Sequence, residues 1–167
     1  FNRRLGNNEK AVEWEKRAEV IKENMIKYLW TGNFFMHQLH LNHEGADNLE
    51  GQRLSLSNVY DINRGVTTTE QSRKIIEEYI KRREKTDCFA EWFSIDPPYE
   101  SFIHYKKGMY VNGAVSPFTA GELAKAALNN GYEEYGWDVI SRFMELVERD
   151  GVAYFLYYPD SKPQPEG

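Results

Sequence analysis

The stretch YVNGAVSPFTAGELAKAALNNG, residues 110–131, sets the plan of this 167-residue chain. A turn dipeptide, Asn-Gly, occupies residues 112–113 and indicates a loop. Ser116 and Pro117 then predict a helix start, because serine can cap a helix and proline fits its first position. Apolar residues recur at helical spacing until Gly131, which can take the left-handed conformation that ends helices. Its many small side chains predict an inner helix that neighbouring helices approach closely.

A second helix is predicted directly after the first. Apolar residues repeat at helical spacing from Trp137, through Phe143 and Met144, to Val147, and an Asp-Gly pair at 150–151 ends the run. Two helices joined by so short a loop must lie antiparallel. The aromatic run that follows predicts a strand, and the proline-containing tail after it is expected to fray.

Two helices are predicted on the N-terminal side. Residues 9–29 carry the clearest helical stripe, with apolar side chains three and four residues apart: Ala11, Trp14, Ala18, Ile21, Met25 and Tyr28. Further along, Thr67 and Glu70 match a capping box, which opens a helix that ends near the basic run 81–83. We interpret that basic run as a solvated helix end that the helix dipole favours.

The order of these features resembles the late part of the six-hairpin glycosidases. The shared signs are the loop Y-x-N-G-x-V-x-P, a small-residue helix ending in Asn-Gly, and a second helix ending in Asp-Gly before an aromatic strand. Residues 29–35, LWTGNFF, are also similar to the L-W-x-x-x-G-x-F/Y ending that follows outer helices of this superfamily. It consists of (α/α)6 toroids and includes glycogen-debranching, trehalase-like and rhamnosidase enzymes.

The resemblance implies an all-α fold of toroid type, incomplete at about five helices, with short β segments in its loops. It also implies an inner helix near residues 51–61, where the sequence fits neither the helical nor the strand period. We expect residues 1–167 to form a single domain, the C-terminal half of a six-hairpin catalytic domain.

A long connection, residues 85–115, is rich in aromatic residues and contains the proline pair 97–98. Aromatic faces pack on the apolar C–H faces of a pyranose, while carboxylates and amides bond its hydroxyls, so this composition suits sugar binding. The alternative is that these aromatic residues close the end of the helix bundle. The candidate substrate-binding residues are Trp92, Tyr99, Tyr110 and Asn112.

Glycoside hydrolysis normally needs two carboxyl groups, which inverting enzymes hold about 6.5 to 9.5 Å apart so that a water fits between them. The resemblance implies inverting chemistry and, in the trehalase-like branch, a base in the aromatic strand after the helix pair. In this chain Leu156 stands where related strands commonly carry glutamate. The candidate catalytic residues are therefore carboxylates of other loops: Glu91, Asp96 and Asp47.

The resemblance thus implies part of a carbohydrate-active enzyme, an inverting glycoside hydrolase whose partner is an oligosaccharide substrate. The alternative is a non-catalytic helical-hairpin module that binds carbohydrate or protein, and the leucine at position 156 favours it. A chain with about half of a toroid would also expose an apolar face. The missing half of the same domain, or a second copy in a homodimer, would cover that face.

Composition and spacing argue against other partners. The net charge of −5 and the lack of a basic block argue against nucleic acid, because phosphate neutralisation needs clustered Lys and Arg. No apolar run approaches the ~18 to 20 residues that span a membrane. Three histidines, His37, His40 and His43, are spaced three apart, but an extended chain sends the middle one to the opposite face. We therefore predict no metal ion and no cofactor.

Overall fold

A computed structural model describes residues 1–40 and 48–165, and over this part of the chain the fold is mostly helical. The α-helices there are α1 (Asn8–Leu29), α2 (Ser57–Asn63), α3 (Thr69–Lys85), α4 (Pro117–Asn129) and α5 (Glu133–Asp150). The fold prediction is thereby confirmed in its coarser form, a helical chain with short strands in its loops.

The short strands pair with one another in the loops between the helices. Strand β1 (Leu54–Ser55) pairs antiparallel with β2 (Ile95–Asp96), and β3 (Ser101–Phe102) pairs antiparallel with β4 (Tyr105–Lys106). Val115 forms single bridges to Phe93 and to Tyr157, the latter in the aromatic run that was predicted as a strand. The connection between α3 and α4 is therefore tied to the α1–α2 connection on one side and to the C-terminal tail on the other.

Helix α4 is the central helix, as its small residues predicted. It contacts α2, α3 and α5, and its buried side chains are mostly alanine. Ser116 occupies the N-cap position, although its hydroxyl accepts a bond from the Thr119 hydroxyl instead of capping the backbone. Gly131 has a φ of 85°, so the predicted left-handed helix end is confirmed.

The capping box of α3 lies one residue later than predicted. Thr68 is the N-cap, its hydroxyl accepts from the Gln71 backbone N–H, and the Gln71 side chain accepts from the Thr68 backbone N–H. Thr67 instead pairs its hydroxyl with Ser72. Thr67 and Thr68 are adjacent, so the sequence allows two positions for the N-cap. A glutamine three residues after the N-cap completes a capping box as well as a glutamate does.

Helix α2 is shorter and later than the predicted helix near 51–61. Residues Glu50–Gln52 form a 3₁₀ turn, and β1 follows, so an α-helix begins only at Ser57. The fully buried Asn58 side chain accepts from the Phe35 backbone N–H at 2.8 Å and donates to the Phe35 carbonyl at 2.9 Å. This amide fixes α2 against the turn that follows α1.

Helix α1 is confirmed, but most of its apolar stripe is not covered by other described residues. Ala11 is buried and Met25 packs against the core, whereas Trp14, Ile21 and Tyr28 are each about half exposed. Periodicity predicts that a helix has an apolar face and does not state what covers it.

The core-facing side of α5 differs from the predicted one. Trp137, expected in the apolar stripe, is 61% exposed, while Gly136, Val139, Arg142 and Leu146 are buried. A glycine and an arginine interrupt the apolar pattern on the true core face, so the stripe read from sequence was rotated. Gly136 lies where a Cβ would meet the Leu128 side chain at 2.9 Å and the Ala124 carbonyl at 3.2 Å.

The close approach of α5 to α4 predicts that Gly136→Ala destabilises the protein. Overpacking costs about 1 to 3 kcal/mol, which exceeds the gain of up to about 1 kcal/mol that alanine brings to a helix. Gly121→Ala, on the exposed side of α4 with no atom within 4 Å of its Cβ, is the matched control and is expected to stabilise. Urea unfolding of both variants checks the opposite signs, and equal effects would contradict the packing argument.

Candidate functional site

A groove of about 580 Å³ lies between the C-terminal half of α3 and the loops that flank β1 and β2. Two aromatic rings, Phe34 and Phe93, form part of its wall. Its uncharged polar side chains are Thr31, Asn33, Gln52 and Thr86. Its charged side chains are Glu78, Lys81, Arg82, Lys85 and Asp96. Rings, hydroxyls, amides and carboxylates in one groove are the groups that bind a polyhydroxylated ligand.

Arg82 organises this groove. Its Nε donates to Glu78 at 3.0 Å, and one terminal nitrogen donates to both the carboxylate and the backbone carbonyl of Asp96. The other terminal nitrogen donates to the Gln52 carbonyl at 2.8 Å. Charge-assisted hydrogen bonds of this kind are stronger than bonds between neutral groups and hold both side chains in place. One guanidinium thereby joins α3, β2 and the 3₁₀ turn before β1.

Asp96, one of the predicted catalytic residues, lies where two grooves meet. A smaller groove of about 250 Å³ shares Asp96, Phe93 and Thr86 with the larger one. In addition to the three shared residues, the smaller groove is lined by Lys107, Gly108 and other loop residues. Of the predicted carboxylates that the structure describes, Asp96 is therefore the one placed on a concave surface.

Tyr99, a predicted substrate-binding residue, lies in a polar and aromatic cluster a few residues beyond Asp96. The Arg53 guanidinium covers its ring at 3.6 Å, and the Phe102 ring stacks on it at 5.3 Å between centroids. Its hydroxyl donates to Glu50 at 3.0 Å and accepts from Gln38 at 2.9 Å. Burial, followed by the hydrogen bond to Glu50, raises the pKa of Tyr99 to about 12, so the hydroxyl keeps its proton.

The predicted pair Tyr110 and Asn112 divides into an exposed ring and a buried amide. Asn112 is fully buried and holds Tyr99 in place, accepting from its N–H at 2.9 Å and donating to its carbonyl at 3.1 Å. It also donates to the Tyr105 carbonyl at 3.0 Å. The structure thus brings Tyr99 and Asn112 into contact, with the amide supporting the loop, while Tyr110 is 37% exposed and its ring contacts Tyr105.

Glu91 and Trp92 lie in the core and line neither groove. The Glu91 carboxylate is 1% exposed and accepts from two nitrogens of Arg142, at 2.8 and 3.1 Å, and from the Tyr135 hydroxyl. Burial lowers the pKa of Arg142, but bonds to Glu91 and Asp138 outweigh it and raise the pKa overall. These placements favour a structural role for both residues and match the bundle-closing alternative for this part of the loop.

Loss of one partner of the buried ion pair is expected to destabilise the protein strongly. Glu91→Gln leaves the Arg142 charge buried with less compensation, which typically costs about 3 to 5 kcal/mol of unfolding free energy. Chemical denaturation measures this cost. Glu15→Gln, which removes the same charge from the exposed pair with Arg3, is the control and should leave the unfolding midpoint essentially unchanged. A Glu91→Gln variant of normal stability would return Glu91 to the catalytic candidates.

Asp61, on α2, is a partly buried carboxyl group, and its Oδ2 has no hydrogen-bond partner among the described residues. Burial raises its pKa from 3.8 to about 6, against a smaller lowering by the Arg64 charge. Between these two values the folded protein binds more protons at this site than the unfolded chain does. The contribution of Asp61 to the free energy of unfolding therefore falls as the pH rises from about 4 to about 6.

Asp61→Asn is expected to stabilise the protein at pH 7.5 and to change little at pH 4. The expected gain is about 1 to 2 kcal/mol, less than the ~3 kcal/mol of the whole pKa shift because water partly screens the group. Denaturation of both proteins at the two pH values measures the difference between them. A gain that is independent of pH would contradict the raised pKa.

Asp47, a predicted catalytic residue, and His43, one of the three regularly spaced histidines, lie outside the described residues. His37 meets the Tyr99 and Phe102 rings edge-on at 6.2 and 6.4 Å, and burial lowers its pKa. Within residues 1–40 and 48–165 no group of three or more His, Cys, Asp or Glu side chains is arranged to hold a metal ion.

Sequence reasoning missed Arg82, which we interpreted as part of a solvated basic run. Its side chain is only 13% exposed, while its neighbour Lys81 remains in solvent. A signal was present, because Arg82 follows the buried Tyr79 by three positions and so shares the core-facing side of α3. The long stem of an arginine can lie on that side while its guanidinium reaches the loops.

No protein-family model matches the chain, and no curated protein matches it. Over the described residues, no helix combines the length and apolar character required to cross a membrane. The functional proposal therefore rests on the side chains of this chain and on the resemblance of its motifs.

Proposed function

We propose that this chain is the oligosaccharide-binding portion of a carbohydrate-active enzyme of the inverting glycoside hydrolase type. The observation that supports it best is the position of Asp96 at the junction of two grooves whose walls combine aromatic rings, hydroxyls, amides and carboxylates. The resemblance to six-hairpin glycosidases supports the same class. The arrangement of the helices as part of a six-hairpin toroid is also proposed here.

Asp96 has the environment of a base in such a reaction. The Arg82 guanidinium holds the Asp96 carboxylate in a fixed position at the junction of the two grooves, where it can accept a proton from an attacking water. Glu78 is bound to the same guanidinium and contributes a second hydrogen-bond acceptor for sugar hydroxyls. The acid of the inverting pair is a further carboxyl group on the opposite side of the bound sugar.

The exposed apolar side chains of α1 support the view that the chain packs against further helices. Trp14, Ile21 and Tyr28 recur on one face of α1, at the spacing of a helix-packing stripe. A neighbouring hairpin of the same catalytic domain would cover this face in a toroid. A second copy in a homodimer is the alternative occupant.

The second candidate function is a non-catalytic module that binds carbohydrate through the same grooves. The bonds that join Arg82 to both Glu78 and Asp96 favour it, because they commit both carboxylates of this groove to one guanidinium and leave them as acceptors for sugar hydroxyls. Leu156 at the position where related strands carry glutamate points in the same direction.

Asp96→Asn is expected to abolish turnover while sugar binding persists. Removal of a general base lowers kcat by about 10²- to 10⁴-fold, whereas the amide still bonds sugar hydroxyls. The measurements are thermal shift and titration calorimetry with gluco-, manno- and rhamno-oligosaccharides, together with NMR of the released anomer. Inversion at the anomeric carbon is the expected stereochemical outcome.

Glu70→Gln is the matched control, since it removes an exposed carboxylate from the other end of the helix that carries Arg82. It should leave both binding and turnover unchanged. Binding without turnover, both in this chain and in the longer protein that supplies the remaining hairpins, would select the non-catalytic module. Turnover that survives Asp96→Asn would show that the base lies elsewhere.

A further inference from the structure

Three rings lie close together on the hairpin of β3 and β4 and on the turn that follows it. The His104 and Tyr105 ring centroids are 4.1 Å apart, and those of Tyr105 and Tyr110 are 5.0 Å apart, with the rings of each pair tilted by about 40°. Tyr105 thus contacts both of the others, while His104 and Tyr110 are exposed. The result is an aromatic surface at this end of the loop.

The backbone of Tyr110 is held in a conformation that residues other than glycine rarely adopt. Its φ is 42°, in the left-handed region. Two buried side chains hold it there, since the Tyr110 N–H donates to Gln164 Oε1 at 3.0 Å and its carbonyl accepts from the Ser94 hydroxyl at 2.8 Å. Strained backbone that is fixed from two sides is typical of functional sites.

Gln164 belongs to the C-terminal tail that the sequence predicted to fray. In the structure its side chain is buried, and its Nε2 donates to the Gly108 carbonyl at 2.8 Å and the Tyr157 carbonyl at 3.1 Å. Two of the three hydrogen bonds of this amide, those with Tyr110 and Gly108, are therefore directed at the loop that carries Tyr110. The tail braces this loop instead of fraying.

We propose that Tyr105 and Tyr110 form a subsite on which one pyranose ring of an oligosaccharide stacks, and that Gln164 is its positioning residue. The subsite deepens the proposed function and rests on it. Aromatic faces match the apolar C–H face of a pyranose. Lys107 and Gly108, between the two tyrosines in sequence, line the smaller groove that also contains Asp96. A saccharide bound at Asp96 can therefore extend along this groove toward the rings.

Removal of the Tyr110 ring is expected to weaken binding of long oligosaccharides. Titration calorimetry of Tyr110→Ala with the gluco-, manno- or rhamno-oligosaccharide series that the protein binds should show a Kd about tenfold higher for the longest member, or about 1.4 kcal/mol. The shortest member should bind unchanged. Tyr110→Asn is the second variant, because asparagine tolerates a positive φ and removes the ring without disturbing the fold. Tyr28→Ala, an exposed tyrosine on α1, is the matched control.

Gln164→Ala tests the positioning role. If Gln164 acts through Tyr110, its loss should weaken binding of long oligosaccharides only, and the double variant Tyr110→Ala/Gln164→Ala should bind like Tyr110→Ala alone. A merely structural role would instead lower affinity for short and long saccharides alike, with additive losses in the double variant.

The outcomes separate this inference from the proposed function. If no saccharide binds the unsubstituted protein, both are wrong. If saccharides bind and Asp96→Asn stops their turnover, but both Tyr110 variants bind normally, the subsite alone is wrong. If the Tyr110 variants weaken binding and Gln164→Ala does not, the subsite stands and the positioning role is wrong.

Discussion

The arrangement of the chain depends on one buried charge, the carboxylate of Glu91. It has no access to water, so the Arg142 guanidinium and the Tyr135 hydroxyl must replace its hydration. Both partners lie on α5, while Glu91 lies in the connection that leads to α4. Next to Glu91, the Trp92 carbonyl accepts from the Ser116 N–H at the start of α4. The ion pair therefore sets where the connection enters the bundle and how α5 lies against α4.

A second arginine repeats this arrangement on another helix. Arg82 extends from α3 to Asp96 and Gln52, as Arg142 extends from α5 to Glu91. The long connection between α3 and α4 contains only two-residue strands, yet side chains from the helices and from Asn112 fix much of its course. Its order comes from side-chain bonds to distant residues, and regular secondary structure contributes little. Such a loop can present rings and carboxylates in fixed positions.

Local signals predicted the fold where local chemistry determines it. Pro117 and Gly131 predicted both ends of α4, since a proline at the first helical position and a left-handed glycine act within a few residues. The rotated face of α5 was unpredictable from periodicity, because Arg142 interrupts the apolar pattern and its partner lies 51 residues away. The residues of the candidate site fall into the same two groups. Asp96, Tyr99 and Tyr110 could be found from composition, whereas Arg82 and Gln164 act on residues 14 and 54 positions distant.

The position of Gln164 in the chain also affects the order in which parts of the protein fold during synthesis. During synthesis it leaves the ribosome after all of the helices described here, and until then the Tyr110 backbone lacks one of its two supports. The helices can pack first, while the aromatic rings acquire their fixed geometry only once Gln164 is in place. A change at Gln164 would then act on the aromatic surface, although that surface lies more than fifty residues away along the chain.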